Sequence, residues 1–292
     1  MAEKNIIDLI NSASLRLKRI EIDAPRVNVE RMLCSILNCN RVDLYLDPVR
    51  MLPSDQVAKF EWLFSKRMAF EPLQYILGET EFFGIEIKCD KRALIPRPET
   101  EFVVSKAIDT LESLDRLYIL DLACGTGCIG IALAINLPQA TIHATDISED
   151  AVSLAKENAL MHGLITRFSF SAGDMFTPVA GKGVLYDALV CNPPYIRDGE
   201  WELLHEQIRE FEPRRALLSG TDGLDFIRRM LSEVSEVLVP GGHLIFEMGQ
   251  GQANSVRQLV DQIDSLEFIE TVQDYSAIER VAVVRRRPSS KL

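Results

Sequence analysis

From Leu117 onward, short apolar runs alternate with stretches of helical spacing, and that alternation leaves few architectures open to the chain. Strands are expected at residues 117–122, 141–145, 167–172, 188–191 and 243–247, with helices between them at 128–136, 149–162 and 223–239. A strand, a helix and a parallel strand in succession impose a right-handed crossover. Repeated, they give an α/β fold with a doubly wound, mostly parallel sheet and helices on both faces. Two last runs, 268–273 and 280–285, lie close enough to pair antiparallel at the sheet's edge.

Upstream the period is helical. Ile6, Ile7, Leu9, Ile10, Leu15 and Leu17 fall near one stripe, as do Met32, Leu33, Ile36 and Leu37. Ser54 after Pro53 is placed to cap a third helix over 55–68, with Phe60, Leu63 and Phe64 inward. In residues 74–90, "QYILGETEFFGIEIKCD", the period becomes alternating, with Phe83, Ile85 and Ile87 on one side of a glycine-containing turn. The organisation read from this is a small all-α domain over 1–73, a β-hairpin linker over 74–92 and the α/β domain over 93–292. With roughly 100–200 residues per domain, 292 residues accommodate it. After the linker comes "LIPRPETE", where Pro96 and Pro98 stiffen a loop and Thr100 can cap a helix over 101–114.

The net charge of −11 disfavours a broad basic face for nucleic acid, because phosphate neutralisation needs clustered Lys and Arg. The densest basic run, "VVRRRPSSKL" at residues 283–292, reads as a solvated tail. The start, "MAEKNIIDLI", has no basic segment leading into an apolar one, and no run approaches the ~20 apolar residues that cross a bilayer. The six cysteines are then expected as reduced thiols in the cytoplasm. Cys124 and Cys128 flank a glycine loop without a second Cys/His pair nearby, so no metal site is expected.

"YILDLACGTGCIGIAL", residues 118–133, reads as strand, glycine turn and helix, a geometry that lets a backbone approach a ligand. A plain tight turn has the same look. Asp146, 19 positions after Gly127, stands near the ~20-residue spacing at which a carboxylate reaches ribose hydroxyls. Asp174, at the end of the next strand, is available to an adenine amine. Together they favour a nucleoside. Asp121 sits where the phosphate of a dinucleotide would come; a carboxylate repels phosphate but tolerates the cationic S-adenosylmethionine (SAM), which is the ligand expected here.

"CNPPYI", residues 191–196, ends the strand that should neighbour the glycine-loop strand. Two prolines fix two φ angles, and Pro194 holds Pro193 extended. The amide nitrogen of Asn192 can be anchored to the protein while its oxygen accepts a substrate N–H. A Pro-Pro carbonyl can take the second hydrogen, and Tyr195 offers a flat face to a planar group. An amine conjugated to a π system, as in an amide, adenine or cytosine, suits such a site. Asn192, Pro193 and Tyr195 are the candidate catalytic residues, and with Pro194 they are also the candidate substrate contacts.

These motifs, with "PLQYILGETEFFG", "FEPRRAL", "GTDGLDFIRRM" and "PGGHLIFEMGQGQ", cover nearly the whole chain. It resembles the HemK/PrmC protein-(glutamine) methyltransferases, which act on the Gly-Gly-Gln motif of peptide chain release factors. The resemblance implies the Rossmann-like SAM-dependent methyltransferase fold, SAM as methyl donor with S-adenosylhomocysteine as product, and release factors as partners. It implies that Ala123, Cys124, Gly125, Thr126 and Gly127 line the methionine part of SAM and Asp146 the ribose, with Ile147 also a cofactor contact. Asp174 and Met175 would meet the adenine, and Arg97, Pro98 and Thr100 of the proline loop would border the cofactor. Asn192 and Tyr195 would hold the glutamine amide. Ala123 replaces the Gly of many relatives, and Met175 the Trp of some. Rival readings are a ribosomal-protein glutamine methyltransferase, an adenine amino-methyltransferase of nucleic acid, and a non-catalytic SAM-binding protein.

His143 and His243 read as core or edge histidines, and Trp62 and Trp201 as packing residues, with Trp201, just after the Asn-Pro-Pro-Tyr loop, also within reach of a substrate. The Glu212-Pro213-Arg214-Arg215 stretch is expected to brace the Asn-Pro-Pro-Tyr loop through charge-assisted bonds.

Overall fold

The structure, a computed structural model, describes residues 4–47 and 49–288. The chain forms two compact units. One comprises residues up to Gly78 together with His205–Phe211, the other Glu79–Leu204 and the chain from Glu212 onward.

The first unit contains β1 (Lys4–Asn5), α1 (Ile6–Arg19), α2 (Pro25–Leu37), α3 (Asp43–Leu46), β2 (Met51–Leu52), α4 (Ser54–Met68) and α5 (Leu73–Leu77). Asn5 caps α1 by accepting from the amides of Ile7 and Asp8. Ile6, Ile10, Leu17, Met32, Leu33, Phe60 and Phe64 are fully buried, each contributing about 1.5–3 kcal/mol of transfer free energy. Leu15 is half exposed, because it lies off the arc that Ile6, Leu9, Ile10, Ala13 and Leu17 define. Ser54 is not the cap of α4: the helix begins on it after Pro53, with no side-chain cap. Trp62 is not a packing residue. The residue is 59% exposed, with Lys66 Nζ 4.3 Å from its ring centroid. Residues 73–77 turn one more helical stretch, closed by Gly78 at φ +83, so the expected hairpin starts later.

In the second unit, β3 (Glu79–Phe82) and β4 (Ile85–Lys88) form that hairpin about Phe83-Gly84. Phe82 and Ile87 enter the core; Phe83 is in the turn rather than on the strand face. Buried Asn158 ties β4 to the glycine loop. Its Oδ1 accepts from Lys88 N, and its Nδ2 donates to Lys88 O and Thr126 O. Then follow α6 (Glu101–Leu111), β5 (Leu117–Leu122), α7 (Cys128–Asn136), β6 (Ala140–Asp146), α8 (Glu149–Met161), β7 (Phe168–Ala172) and β8 (Tyr186–Cys191). After them come α9 (Glu206–Phe211), which belongs to the first unit, α10 (Asp225–Glu233), β9 (Leu238–Glu247), α11 (Ala253–Asp261), β10 (Leu266–Gln273) and β11 (Glu279–Arg286).

The seven strands are ordered β10-β11-β9-β8-β5-β6-β7. β5 through β9 run parallel and β11 antiparallel, so the fold is the expected α/β one. β11 lies between β9 and β10, leaving β10 alone at that edge. The helix expected over 223–239 stops at Glu233, because the apolar run beyond a short 3₁₀ turn joins the sheet, with Leu238 paired to Tyr186. α11 has no counterpart in the sequence reading. Arg285 and Arg286 are strand residues and Arg287 donates to Leu266 O, so the basic run is ordered that far; residues 289–292 lie outside those described. The order reverses between β5 and β8, and at such a reversal an open sheet leaves a crevice beyond its strand ends.

Candidate active site

A cavity of 1130 Å³ opens there, larger than the ~300–1,000 Å³ typical of small-ligand sites. Its floor is the glycine loop. Ala123, Gly125 and Gly127 all have positive φ (56, 54 and 77°), so the chain doubles back on itself before α7. A Cβ on Gly127 would stand 3.0 Å from that of Ala155, which holds the loop against α8. Asp146 takes the Gly125 amide on Oδ2 and the Ser148 amide on Oδ1, so one carboxylate fixes the loop and the turn after β6. Burial pushes its pKa upward, opposed by those amides and by Arg215.

Asp121 is not where a dinucleotide phosphate would lie. It is fully buried, its Oδ2 accepting the Gly130 amide in the first turn of α7. One amide of that helix start, that of Gly130, is thereby served by a carboxylate. Burial raises its pKa to about 7.

Of the residues singled out in the sequence, Ala123, Cys124, Gly125, Thr126, Asp146, Ile147, Asp174, Met175, Thr100, Asn192 and Pro194 line this one cavity. Gly127, Arg97, Pro98, Pro193 and Tyr195 do not. Asp174 is exposed, with Oδ2 2.7 Å from Arg229 Nη1. Met175 adopts φ +49, as strained as Ala123. Arg97 turns to Glu212, whose buried carboxylate takes Arg97 Nη2 at 2.5 Å and the Ile95 amide at 3.2 Å. Glu212 thus braces the proline loop and not the Asn-Pro-Pro-Tyr turn. Arg214 stacks its guanidinium 5.0 Å from the centre of the Trp201 ring. Arg215 and Arg229 are cavity residues to which the sequence reading gave no ligand role, although they lie in the motifs "FEPRRAL" and "GTDGLDFIRRM".

The Asn-Pro-Pro-Tyr turn follows β8 directly. Asn192 Nδ2 donates to Thr100 Oγ1 at 2.9 Å, so Thr100 serves as an anchor here and not as the side-chain cap of α6. Thr100 Oγ1 in turn donates to Glu247 Oε2 at 2.5 Å, and Tyr195 Oη donates to Glu247 Oε1 at 2.8 Å. Burial raises the pKa of Glu247, and burial with the adjacent Glu247 charge raises that of Tyr195. Behind the turn, Gln252 Nε2 donates to Tyr195 O and Gly223 O while its Oε1 accepts the Gly249 amide. The turn is held at its backbone, its ring hydroxyl and its amide. Among the described residues Asn192 Oδ1 takes no hydrogen bond, and Asn192 lies on the cavity wall.

His143 bonds Tyr186 Oη and Ser171 Oγ away from the cavity, in keeping with a structural role.

The geometry has counterparts in known proteins. Residues 8–78 match the PrmC N-terminal domain and residues 104–214 the methyltransferase small domain. The release factor glutamine methyltransferase of Chlorobaculum tepidum is 36% identical over 283 residues, covering 94% of this chain and 95% of that one. This chain belongs to the release factor glutamine methyltransferase family. Family members from Geobacter sulfurreducens (37% over 260 residues, 89% of each chain) and Vibrio cholerae (35% over 274 residues, 94% of each) agree over similar spans. Among solved structures, the hMettl16 catalytic domain in complex with an RNA hairpin superposes with a TM-score of 0.56 at 18% identity, covering 77% of this chain and 84% of that one. A Pyrococcus furiosus methyltransferase gives 0.52 at 15%, covering 77% and 100%. These two share the fold.

Proposed function

We propose that this chain methylates the side-chain amide nitrogen of the glutamine in the Gly-Gly-Gln motif of peptide chain release factors, with SAM as donor. Family membership supports the reaction class. The observation that carries the reading is the anchored amide of Asn192, whose donor end is engaged by Thr100 and whose acceptor end is left for a substrate N–H.

The residues present suit SAM. Asp146 has lone pairs beyond its two backbone bonds for ribose hydroxyls, the left-handed turn at 123–127 allows close approach, and Met175 and Asp174 flank the next strand end. The wall carries both signs, Asp146 and Asp225 beside Lys91 and Arg215, which suits a ligand with cationic sulfonium and amino groups and an anionic carboxylate. When bound, SAM supplies a methyl group on a positively charged sulfur. The chain's own part is orientation. Asn192 Oδ1 accepts one amide N–H, and a carbonyl of the Pro193-Pro194 pair, of which Pro194 lines the cavity, is the second acceptor. Drawing on both hydrogens moves electron density toward a weakly nucleophilic nitrogen. Tyr195, its hydroxyl held by Glu247, supports the turn without lining the cavity.

Six free cysteines accord with the cytoplasm, where release factors act. Among the described residues no helix is long and apolar enough to cross a membrane.

The test is transfer of labelled methyl from SAM to an intact release factor. Label is expected in the factor and absent from its Gly-Gly-Gln→Gly-Gly-Ala variant. Label in a ribosomal protein or in DNA instead, or in both release factor forms alike, overturns the reading.

A further inference from the structure

We infer that Glu247 and Thr100 are positioning residues that decide which end of the Asn192 side chain faces the cavity. The two ends of a primary amide have nearly the same shape but opposite hydrogen-bonding sense, so packing alone cannot choose between them. Here the choice follows from counting protons. A threonine hydroxyl has one proton to give. Glu247 Oε2, 2.5 Å away, is acceptor-only as a carboxylate and takes it. The side of Oγ1 turned to Asn192 is then a lone pair, which the Nδ2 end satisfies at 2.9 Å and the Oδ1 end would repel. Oδ1 is left facing the cavity.

Both Thr100 and Glu247 are 1% exposed, so no water can substitute for a partner in the chain. Tyr195 Oη occupies the other oxygen of the same carboxylate. One buried acid thus sets the two side chains of the Asn-Pro-Pro-Tyr turn together, although Glu247 does not line the cavity. Thr100 and Glu247 come from the proline loop and the end of β9, and neither is adjacent in sequence to Asn192.

The inference rests on the reading that Asn192 Oδ1 accepts a substrate N–H. Glu247→Gln keeps size and shape but leaves one acceptor oxygen for two donors, so either Thr100 Oγ1 or Tyr195 Oη meets an N–H instead. With the wild-type chain shown to methylate a release factor, this variant is expected to lose at least about tenfold in kcat, as fits one charge-assisted bond, with KM and the SAM Kd within about threefold. Thr100→Val, which keeps the shape and deletes the hydroxyl, should lose a similar factor, and Thr100→Ser should recover most of it. The double variant Glu247→Gln/Thr100→Val should be no slower than the slower single one, because both cut one chain.

A readout independent of activity is the side-chain ¹⁵N amide pair of Asn192, whose shifts and hydrogen exchange should change in Glu247→Gln while the backbone spectrum holds. Full kcat in Glu247→Gln, multiplying losses in the double variant, or a Thr100→Ser as slow as Thr100→Val overturns the inference. Should Glu247→Gln fail to fold, the Thr100 pair decides alone. If the wild-type chain transfers no methyl group, the functional reading fails, and an unmoved Asn192 signal then overturns the positioning claim separately.

Discussion

Asn192 Nδ2 lies 2.9 Å from Thr100 Oγ1, across 92 positions of sequence. The contact joins the turn after β8 to the proline loop before α6, two of the segments that line the cavity with the glycine loop. It converts a flexible amide into a fixed acceptor.

Replacing Asn192 by Ala removes that acceptor without touching the glycine loop. The expected outcome is a fall in kcat of about 10²-fold, comparable to deleting one preorganised hydrogen-bonding group in other sites. Titration calorimetry with SAM should show its Kd nearly unchanged. A variant that binds SAM poorly but turns over normally at saturation would contradict the assignment.

Gly223 touches the same turn from behind. At φ +78 it is in the left-handed region, and a Cβ there would stand 2.3 Å from the Tyr195 carbonyl. Gly223→Ala is therefore expected to cost about 2 kcal/mol or more in urea unfolding and to lower activity by displacing the turn. Unchanged stability and rate would show that the turn is softer than its bonds to Gln252 suggest.

Asp121 predicts a pH signature. Its carboxyl is raised from 3.8 to about 7, chiefly by burial, so the folded chain holds this proton more tightly than the unfolded chain. That contribution to stability is complete below about 3.8, declines as pH rises toward 7 and is gone above it. Asp121→Asn cannot ionise. Relative to wild type it should gain stability as pH climbs from about 4 to 7, by a few kcal/mol, and then hold constant. Denaturation midpoints at pH 5 and 8 check this, and parallel curves would contradict it.

How much of this was legible in the chain depends on whether the cause was local. The helix Cys128–Asn136 and the strand Leu117–Leu122 were found to the residue because a glycine turn punctuates them. Asn192, Asp146 and the 123–127 loop were legible because strand ends in an open sheet converge on one crevice. Glu247 was not, since its partners Thr100 and Tyr195 reach it only through tertiary pairing, the first from 147 positions away. Nor was the membership of His205–Phe211 in the first unit, which rests on long-range contacts such as Arg67 Nη2 to Gln207 Oε1 at 3.0 Å. Arg97 and Tyr195 were placed toward the ligand by motif, whereas Glu212 and Glu247 draw their polar ends into the protein.

Ala123 adopts φ +56 where glycine is the unstrained residue. Ala123→Gly should be neutral to stabilising by up to about 1 kcal/mol, because relief of the left-handed strain is partly offset by backbone entropy and lost packing. Thermal unfolding with and without SAM measures it. A loss above about 1 kcal/mol would show that the Ala123 methyl packs more tightly than its half-burial indicates.

The most direct measurement is a crystal structure of the chain with S-adenosylhomocysteine and a peptide containing Gly-Gly-Gln. The account predicts the glutamine amide within about 3 Å of Asn192 Oδ1, its nitrogen facing the ligand sulfur, and Nδ2 still on Thr100. An Asn192 side chain turned away from that sulfur, or a glutamine bound elsewhere, would contradict it.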